Sequence, residues 1–419
     1  MISYLGLDNL GSTSYLNSTL QCLANIKPVT NYLLNLNHYT KLYNNQKICL
    51  ITIEYIQILI GLYCNKSRTG SYCPKNFKKI ISEINLLFRG SQENDPKDLI
   101  IFLLELINNE LVMVNNLKKI NNKINEDESY QCDSLEKCQK YFIKSHCSII
   151  GDNLYGFQKN NFACQNCGGN YINYNIFNYL MFSLEATSNY FDLKKNNNII
   201  PVINFDYFFQ FLSKDENLSI ICQKCKKLSN IKYKQSIYIM PYYLIIILDR
   251  EKENIYNFQV KIPEIFCPFN YVENEKDSYF NLIGIISHID KHFISLCKHN
   301  IDGKWRCYND NIVTECQNDI FEKGIPYILF YQKKSTINYD SNQINKVNLN
   351  LNFNYINNQF NNEQIFFSNQ MNMNYNIYPS HNNNNNLNIN MNNLNSQANI
   401  NNNTFWQDIN NNIKNNEFQ

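Results

Sequence analysis

Two Cys-x-x-Cys pairs, Cys164-Gln-Asn-Cys167 and Cys222-Gln-Lys-Cys225, lie 54 residues apart in this chain. They constrain its fold more than any other feature does. Each spacing lets two thiolates from one tight turn face a common ion, and two such turns complete the tetrahedral four-cysteine set that zinc takes in closed structural sites. Gly168 and Gly169 follow the first pair and supply the backbone freedom that its turn needs. With four thiolates bound, no position is left for a substrate. The spacing therefore predicts a structural zinc held by Cys164, Cys167, Cys222 and Cys225, contributing on the order of 10 kcal/mol to the folding of that region. The alternative is four unrelated buried cysteines. The chain has 15 cysteines in all, and its opening MISYLGLDNLG lacks the basic and apolar regions of a secretory signal. Reduced thiols and a cytoplasmic or nuclear setting are the expectation.

The 419 residues allow two or three domains. A break in composition follows Ile325–Lys334. From Ser341 to Gln419 there are 33 Asn in 79 residues, no Gly and only five charged side chains. Such a segment cannot bury a core, so residues 1–335 are expected to fold and 336–419 to form an Asn-rich disordered tail. A docking or condensation segment is the other reading of the tail. The net charge of +2 gives no electrostatic reason to expect nucleic acid or an anionic membrane as partner. The longest apolar stretch, Ile237 to Leu248, has twelve residues and contains Pro241, too few to span a bilayer.

Within the folded part, Leu16, Leu20 and Leu23 recur at helical spacing, which predicts an amphipathic helix from about Ser14 to Ala24 capped by Ser12 or Thr13. Phe77, Ile80, Ile81, Ile84 and Leu87 predict a second helix over Phe77–Leu87. Asp95 suits an N-cap, Pro96 the first helical position and Asp98 the third, so the run LIIFLLELI reads as a buried helix. Beyond about residue 150, segments such as IYIMPYYLIIIL, YFNLIGIIS, HFISLC and PYILFY read as strands. Helices first and strands later give an α+β fold.

The N-terminal segment Gly6-Leu7-Asp8-Asn9-Leu10-Gly11-Ser12-Thr13-Ser14-Tyr15-Leu16-Asn17-Ser18-Thr19-Leu20-Gln21-Cys22-Leu23 resembles the cysteine box of the ubiquitin-specific proteases, papain-like ubiquitin carboxyl-terminal hydrolases with the pattern G-L-x-N-x-G-N-T-C-Y-x-N-S-x-L-Q-C-L. The likeness continues in Tyr279–His288, His292-Phe293, Lys304–Asp310, Glu93-Asn94-Asp95-Pro96, PYYLIIILDRE and the closing PYILFY. It implies a helical thumb over about 1–150, zinc-bearing fingers over about 151–235 and an antiparallel β palm over about 236–335. Its implied partners are ubiquitin or ubiquitinated proteins. Carried over residue by residue, the nucleophile position falls on Ser14, the oxyanion-stabilising amide on Asn9, the general base on His292 and the orienting group on Asn309, with Asp310 a second residue for that last role. His288 is expected to be structural, and Cys22 is expected to be core packing rather than a substitute nucleophile.

Two departures bear on activity. Ser14 stands where the family has Cys. A thiol is partly ionised near neutrality and becomes more so beside a helix N-terminus and an imidazolium, whereas a hydroxyl needs concerted proton transfer in a frame shaped for oxygen. The family's loop H-x-G-x-x-x-x-G-H-Y is also shortened to His288-Ile289-Asp290-Lys291-His292-Phe293 without its glycines, so Lys291 is expected to narrow access for a Gly-Gly tail. The resemblance thus implies a protein that binds ubiquitin or another protein but hydrolyses poorly or not at all. An active deubiquitinase using Ser14, His292 and Asn309 is the alternative. A zinc-ribbon nucleic-acid binder is a third and weaker class, since only Lys224, Lys226 and Lys227 cluster.

Overall fold

The structure, a computed structural model, describes residues 5–64, 70–116, 132–193, 201–250, 257–268, 270–274, 278–299, 301–316 and 320–335. The Asn-rich segment lies outside them. The first part is mostly helical: β1 (Gly6–Leu7), α1 (Ser14–Ala24), α2 (Lys27–Leu34), α3 (Leu36–Tyr43), α4 (Leu50–Tyr63), β2 (Ser71–Tyr72), α5 (Lys75–Ile84), α6 (Pro96–Asn116), α7 (Leu135–Ser145) and α8 (Ile149–Leu154). The second part carries β3 (Gly156–Cys164), β4 (Asn170–Phe177), β5 (Leu180–Ser183), α9 (Leu184–Tyr190), β6 (Val202–Asn204), α10 (Phe205–Leu212), β7 (Asp215–Ile221), β8 (Leu228–Ile239), β9 (Tyr243–Asp249), β10 (Gln259–Lys261), β11 (Ile265–Phe266), β12 (Ser278–Ile289), β13 (His292–Lys298), β14 (Trp305–Asn309), β15 (Ile312–Cys316) and β16 (Ile325–Ser335). The α+β expectation holds. Among the described residues no helix is long and apolar enough to cross a membrane.

Two sheets organise the second part. An eight-stranded sheet runs β15-β14-β13-β12-β16-β9-β5, with β11 also on β12. All its pairs are antiparallel except β5 with β9. A four-stranded sheet runs β4-β3-β8-β7. The segment between β4 and β7 does not stay with the small sheet. Leu180 and Phe182 of β5, Leu184 of α9 and Phe205, Phe208 and Phe209 of α10 join the core over the large sheet, because this Phe-rich stretch has more apolar surface than a four-stranded ribbon can cover.

The helix α1 is the pivot. All eleven of its residues are buried, and it packs on β13, β12, β14 and α6. The leucine spacing predicts one apolar face and leaves the other to solvent. In the structure that other face is buried too, and its amide donors are paired: Gln21 Nε2 donates to Leu5 O at 3.0 Å, and Asn25, just past the helix, donates through Nδ2 to Ile283 O and Lys298 O at 3.0 and 3.1 Å. Buried amides need such partners.

Elsewhere, capping chemistry sets the helix ends. Asp95 Oδ1 accepts from the Lys97 amide at 2.7 Å and α6 opens on Pro96, as the sequence predicts. The helix expected over Phe77–Leu87 instead ends at Ile84. Asn85 turns extended and accepts from the Leu87 amide through Oδ1, a 3-10 turn follows over Leu86–Phe88, and Phe88 is buried while Leu87 is half exposed. A local Asn side chain outcompeted the continuing apolar stripe. The first turn of α4 has no cap from its own Cys49 side chain. Glu110 of α6 fills the place, accepting from the amides of Ile51 and Thr52 at 3.1 and 2.8 Å.

Burial raises the Glu110 carboxyl from 4.5 to about 7, against the lowering effect of the Thr52 hydroxyl and the two amides. The folded chain therefore holds this proton where an unfolded chain has released it. The stabilisation it brings is full below about pH 4.5 and is lost as pH rises through about 7. Glu110→Gln is expected to track the wild type at pH 5 in urea unfolding and to gain on it by on the order of 2 kcal/mol toward pH 8. A pH-independent difference between the two would contradict this.

Candidate active site

Ser14 is the first residue of α1 and is 2% exposed. The cap expected there from Ser12 or Thr13 does not form. Thr13 occupies the N-cap position but its hydroxyl accepts from the Leu10 amide at 2.8 Å, committing it to the preceding loop. Ser12 stands at φ +50°. The helix N-terminus beside Ser14 is left without a side-chain cap, with the positive end of its dipole toward that side chain. Ser14 Oγ accepts from the backbone amide of Phe293 at 3.1 Å, which ties the start of α1 to β13.

The remaining groups come from two adjacent hairpins at the same end of the large sheet. β12 and β13 pair up to Ile289 with His292, leaving the two-residue turn Asp290-Lys291; β14 and β15 pair up to Asn309 with Ile312, leaving Asp310-Asn311. Two-residue hairpins favour positive φ in the turn, and Asp290 and Asp310 adopt +53° and +51°. His292 Nε2 lies 2.8 Å from Asn309 Oδ1 and 3.5 Å from Asp310 Oδ2. Both oxygens accept, so Nε2 carries the hydrogen and the neutral ring keeps its lone pair on Nδ1. Asn309 is thus the direct partner of the imidazole and Asp310 its nearby carboxylate.

Asp310 is the hub of the site. Its Oδ2 accepts from Asn9 Nδ2 and its Oδ1 from Asn17 Nδ2, both at 2.8 Å, while its carbonyl accepts from the Leu7 amide at 2.9 Å. Asn9 is oriented from both ends, since its Oδ1 accepts from the amides of Gly11 and Thr13 at 2.9 and 3.2 Å. Of the residues the sequence selects, Asn9, His292, Asn309 and Asp310 are joined by these contacts, and Ser14 is tied to them through the amide of Phe293, the residue after His292. The sequence reading gives no role to Asn17, to the Phe293 amide or to Gly6. A Cβ on Gly6 would sit 2.2 Å from the Asp310 carbonyl oxygen and 2.6 Å from Asn311 backbone atoms; the Y-x-N-S and G-L parts of the motif were the available signals. His288 packs its ring against Phe293 with centroids 4.5 Å apart, and burial lowers its pKa. Cys22 is buried, its sulfur 3.9 Å from that of Cys297. Lys291 lies exposed at the hairpin tip.

A second constellation lies at the end of the small sheet. The sulfurs of Cys164, Cys167, Cys222 and Cys225 all lie within 4.8 Å of one another, and those of Cys167 and Cys222 are 3.9 Å apart. A tetrahedral tetrathiolate site needs sulfurs about 3.8 Å apart, so the four can hold one metal ion. The two turns match. Gly168 and Lys226 donate to the carbonyls of Cys164 and Cys222 at 3.0 and 2.9 Å, and the amides of Cys164 and Cys222 donate to Gly169 O and Lys227 O at 3.0 and 2.9 Å. The Cys167 amide, donating to the Cys164 sulfur, helps lower that thiol to about 6. Cys167 itself rises to about 11, the lowering by the Gly169 amide being outweighed by the sulfurs of Cys164, Cys225 and Cys222, so the cluster keeps protons that a bound ion would displace.

Comparison with known proteins places these features in context. The family model described as ubiquitin carboxyl-terminal hydrolase matches residues 5–331. Similar curated proteins include ubiquitin carboxyl-terminal hydrolase Usp2 of Drosophila melanogaster, 23% identical over 341 residues that cover 78% of this chain and 34% of that protein. Ubiquitin carboxyl-terminal hydrolase 2 of Homo sapiens is 24% identical over 352 residues, covering 79% of this chain and 55% of that protein. The chain thus spans about a third to just over half of the length of these relatives. The SAGA Ubp8/Sgf11/Sus1/Sgf73 DUB module bound to ubiquitin aldehyde is similar in fold, with a TM-score of 0.58, 19% identity, and coverage of 79% of this chain and 70% of that one.

The approach of Gly6 to the Asp310 turn yields a test. Gly6→Ala is expected to lower stability by about 1–3 kcal/mol in denaturant unfolding and to shift the amide resonances of Leu7 and Asp310, since only backbone can yield there. An unperturbed Ala variant would mean that the two loops do not meet.

Proposed function

The chain belongs to the ubiquitin carboxyl-terminal hydrolase family, and from that premise we propose that it binds ubiquitin or ubiquitinated proteins on a deubiquitinase scaffold while hydrolysing them poorly or not at all. One observation carries the reading. Residue 14, which matches the family's nucleophile position, is a serine whose hydroxyl accepts a backbone hydrogen bond, while the groups expected around it are in register.

The chemistry follows from that substitution. With a cysteine at position 14, the Phe293 amide and the uncapped start of α1 would stabilise a thiolate, and His292 Nδ1 would take its proton with Asn309 holding the tautomer. A serine hydroxyl stays protonated there, and the same amide occupies one of its lone pairs. Asn9 keeps one N–H for a developing oxyanion, the other being held by Asp310. The two-residue turn with Lys291 replaces the family's longer glycine-bearing loop, which further limits a Gly-Gly tail. The Cys tetrad would hold a structural zinc, with no open position for chemistry. A second reading, catalysis by Ser14, is favoured by the intact arrangement of His292, Asn309 and Asp310.

A fluorogenic ubiquitin C-terminal amide separates the two. The wild type is expected to be inert, and Ser14→Cys to gain turnover by about 10³-fold or more, since losing a working nucleophile costs on the order of 10⁶ in kcat in a comparable triad. Turnover by the wild type that vanishes in Ser14→Ala would overturn the inactive reading. An inert Ser14→Cys that still binds ubiquitin by calorimetry would point to the shortened loop. Elemental analysis is expected to find about one zinc per chain, lost in Cys164→Ser/Cys222→Ser; zinc-free wild type would sink the metal assignment.

A further inference from the structure

We propose that Asn17 is a positioning residue: its side-chain amide fastens the Asp310 carboxylate to α1 and thereby sets where His292 and Asn9 stand relative to the atom at position 14. The inference deepens the reading above and rests on it for its catalytic consequence.

Asn17 follows Ser14 by three residues, so both project from one side of α1. It is 3% exposed. Its Nδ2 lies 2.8 Å from Asp310 Oδ1, 3.2 Å from Asp8 O and 3.3 Å from Leu7 O. A single amide thus gathers the helix, the loop that carries Asn9 and the turn that carries Asp310. The amide fixes how the turn sits against α1. Asp310 takes φ +51°, the left-handed angle that a two-residue hairpin favours and an aspartate tolerates, so the turn's shape is set locally while its place against the helix is set by Asn17. Asn309, one residue earlier, makes the 2.8 Å contact with His292, so a swing of the turn moves the partner that selects the ring's tautomer.

The other end of the amide supports the same reading. Asn17 Oδ1 is buried without a hydrogen-bond partner among the described residues. An orphaned acceptor costs stability, so what an amide supplies here is its donor end, which serves Asp310 and the carbonyls of Leu7 and Asp8 at once. A leucine of similar size would remove that donor and leave the Asp310 carboxylate oxygen without it. Aspartate would fail for the opposite reason: it has the shape of asparagine but would set a second carboxylate against Asp310.

The test uses the full chain. In the wild type, ¹⁵N-resolved histidine spectra, assigned with His292→Gln, are expected to show His292 protonated on Nε2. In Asn17→Leu that signature is expected to move toward the mixed tautomer, with the melting temperature lowered as Asp310, Leu7 and Asp8 lose their shared donor. On the Ser14→Cys background, Asn17→Leu is expected to lower kcat by about tenfold to a hundredfold, as small misplacements of reacting groups do, with KM and ubiquitin affinity changed less than about twofold. Asn17→Ala, read the same way, serves if leucine prevents folding. An unchanged His292 tautomer with unchanged kcat overturns the proposal. If Ser14→Cys is itself inert, the reading of Ser14 as the missing part fails, and the tautomer still decides the role of Asn17.

Discussion

The structure depends on a helix that has no solvent face. α1 is buried along its whole length, and a buried helix can keep polar residues only if each finds a partner. Asn17, Gln21 and Asn25 reach backbone carbonyls in the loop before the helix and in β12 and β13, and Ser14 takes the Phe293 amide. These bonds fix the rotation and the height of α1 against the large sheet, which hydrophobic packing by Leu16, Leu20 and Leu23 alone would leave free to slide. Since α1 begins at residue 14 and β13 begins at His292, the same seam fixes the distance between the two.

The loss of hydrolysis proposed above would accordingly leave the fold undisturbed. Serine and cysteine differ little in size, and Ser14 contributes an acceptor that the Phe293 amide uses. The seam is therefore indifferent to which atom bears the reactive lone pair. What changes is acidity, which packing cannot compensate: the positive helix end and the nearby imidazole are useful to a group that can ionise, and a hydroxyl does so far less readily than a thiol. Scaffold and nucleophile are separable here because they rest on different physics.

Much of the fold was legible from local chemistry. The Asp95-Pro96 start of α6, the strands β9, β12, β13 and β16 and the cysteine knuckles follow from residue types at short range. What was not legible depended on partners distant in sequence. The period of α1 marks an apolar face but cannot tell that the polar face is covered as well. Thr13 reads as a cap until the Leu10 amide claims it. Leu87 reads as the last rung of a helix until Asn85 ends it. The site residues were readable through a resemblance, whereas Asn17 and Gly6 acquire meaning only once Asp310, some 300 positions later, is folded against them.

The cysteine knuckles complete the contrast, because they offer the small sheet a different means of order. The two turns share one hydrogen-bond pattern, yet the position taken by Gly168 at φ +67° is taken in the second turn by Lys226 at φ +58°. A left-handed lysine costs about 1–2 kcal/mol. Burial nearby is confined to a small cluster of Cys164, Cys222 and Ile231 with Phe162 and Tyr171 against it, while Ile221 and Leu228, which flank the second turn, are exposed. The zinc proposed for the four thiols would contribute on the order of 10 kcal/mol, enough to impose the same turn on both sequences. The small sheet would thus draw on coordination as well as packing, and the α1 seam draws on buried hydrogen bonds. They share no residue, so loss of metal would loosen the β3–β4 and β7–β8 hairpins while leaving the Asp310 hub assembled.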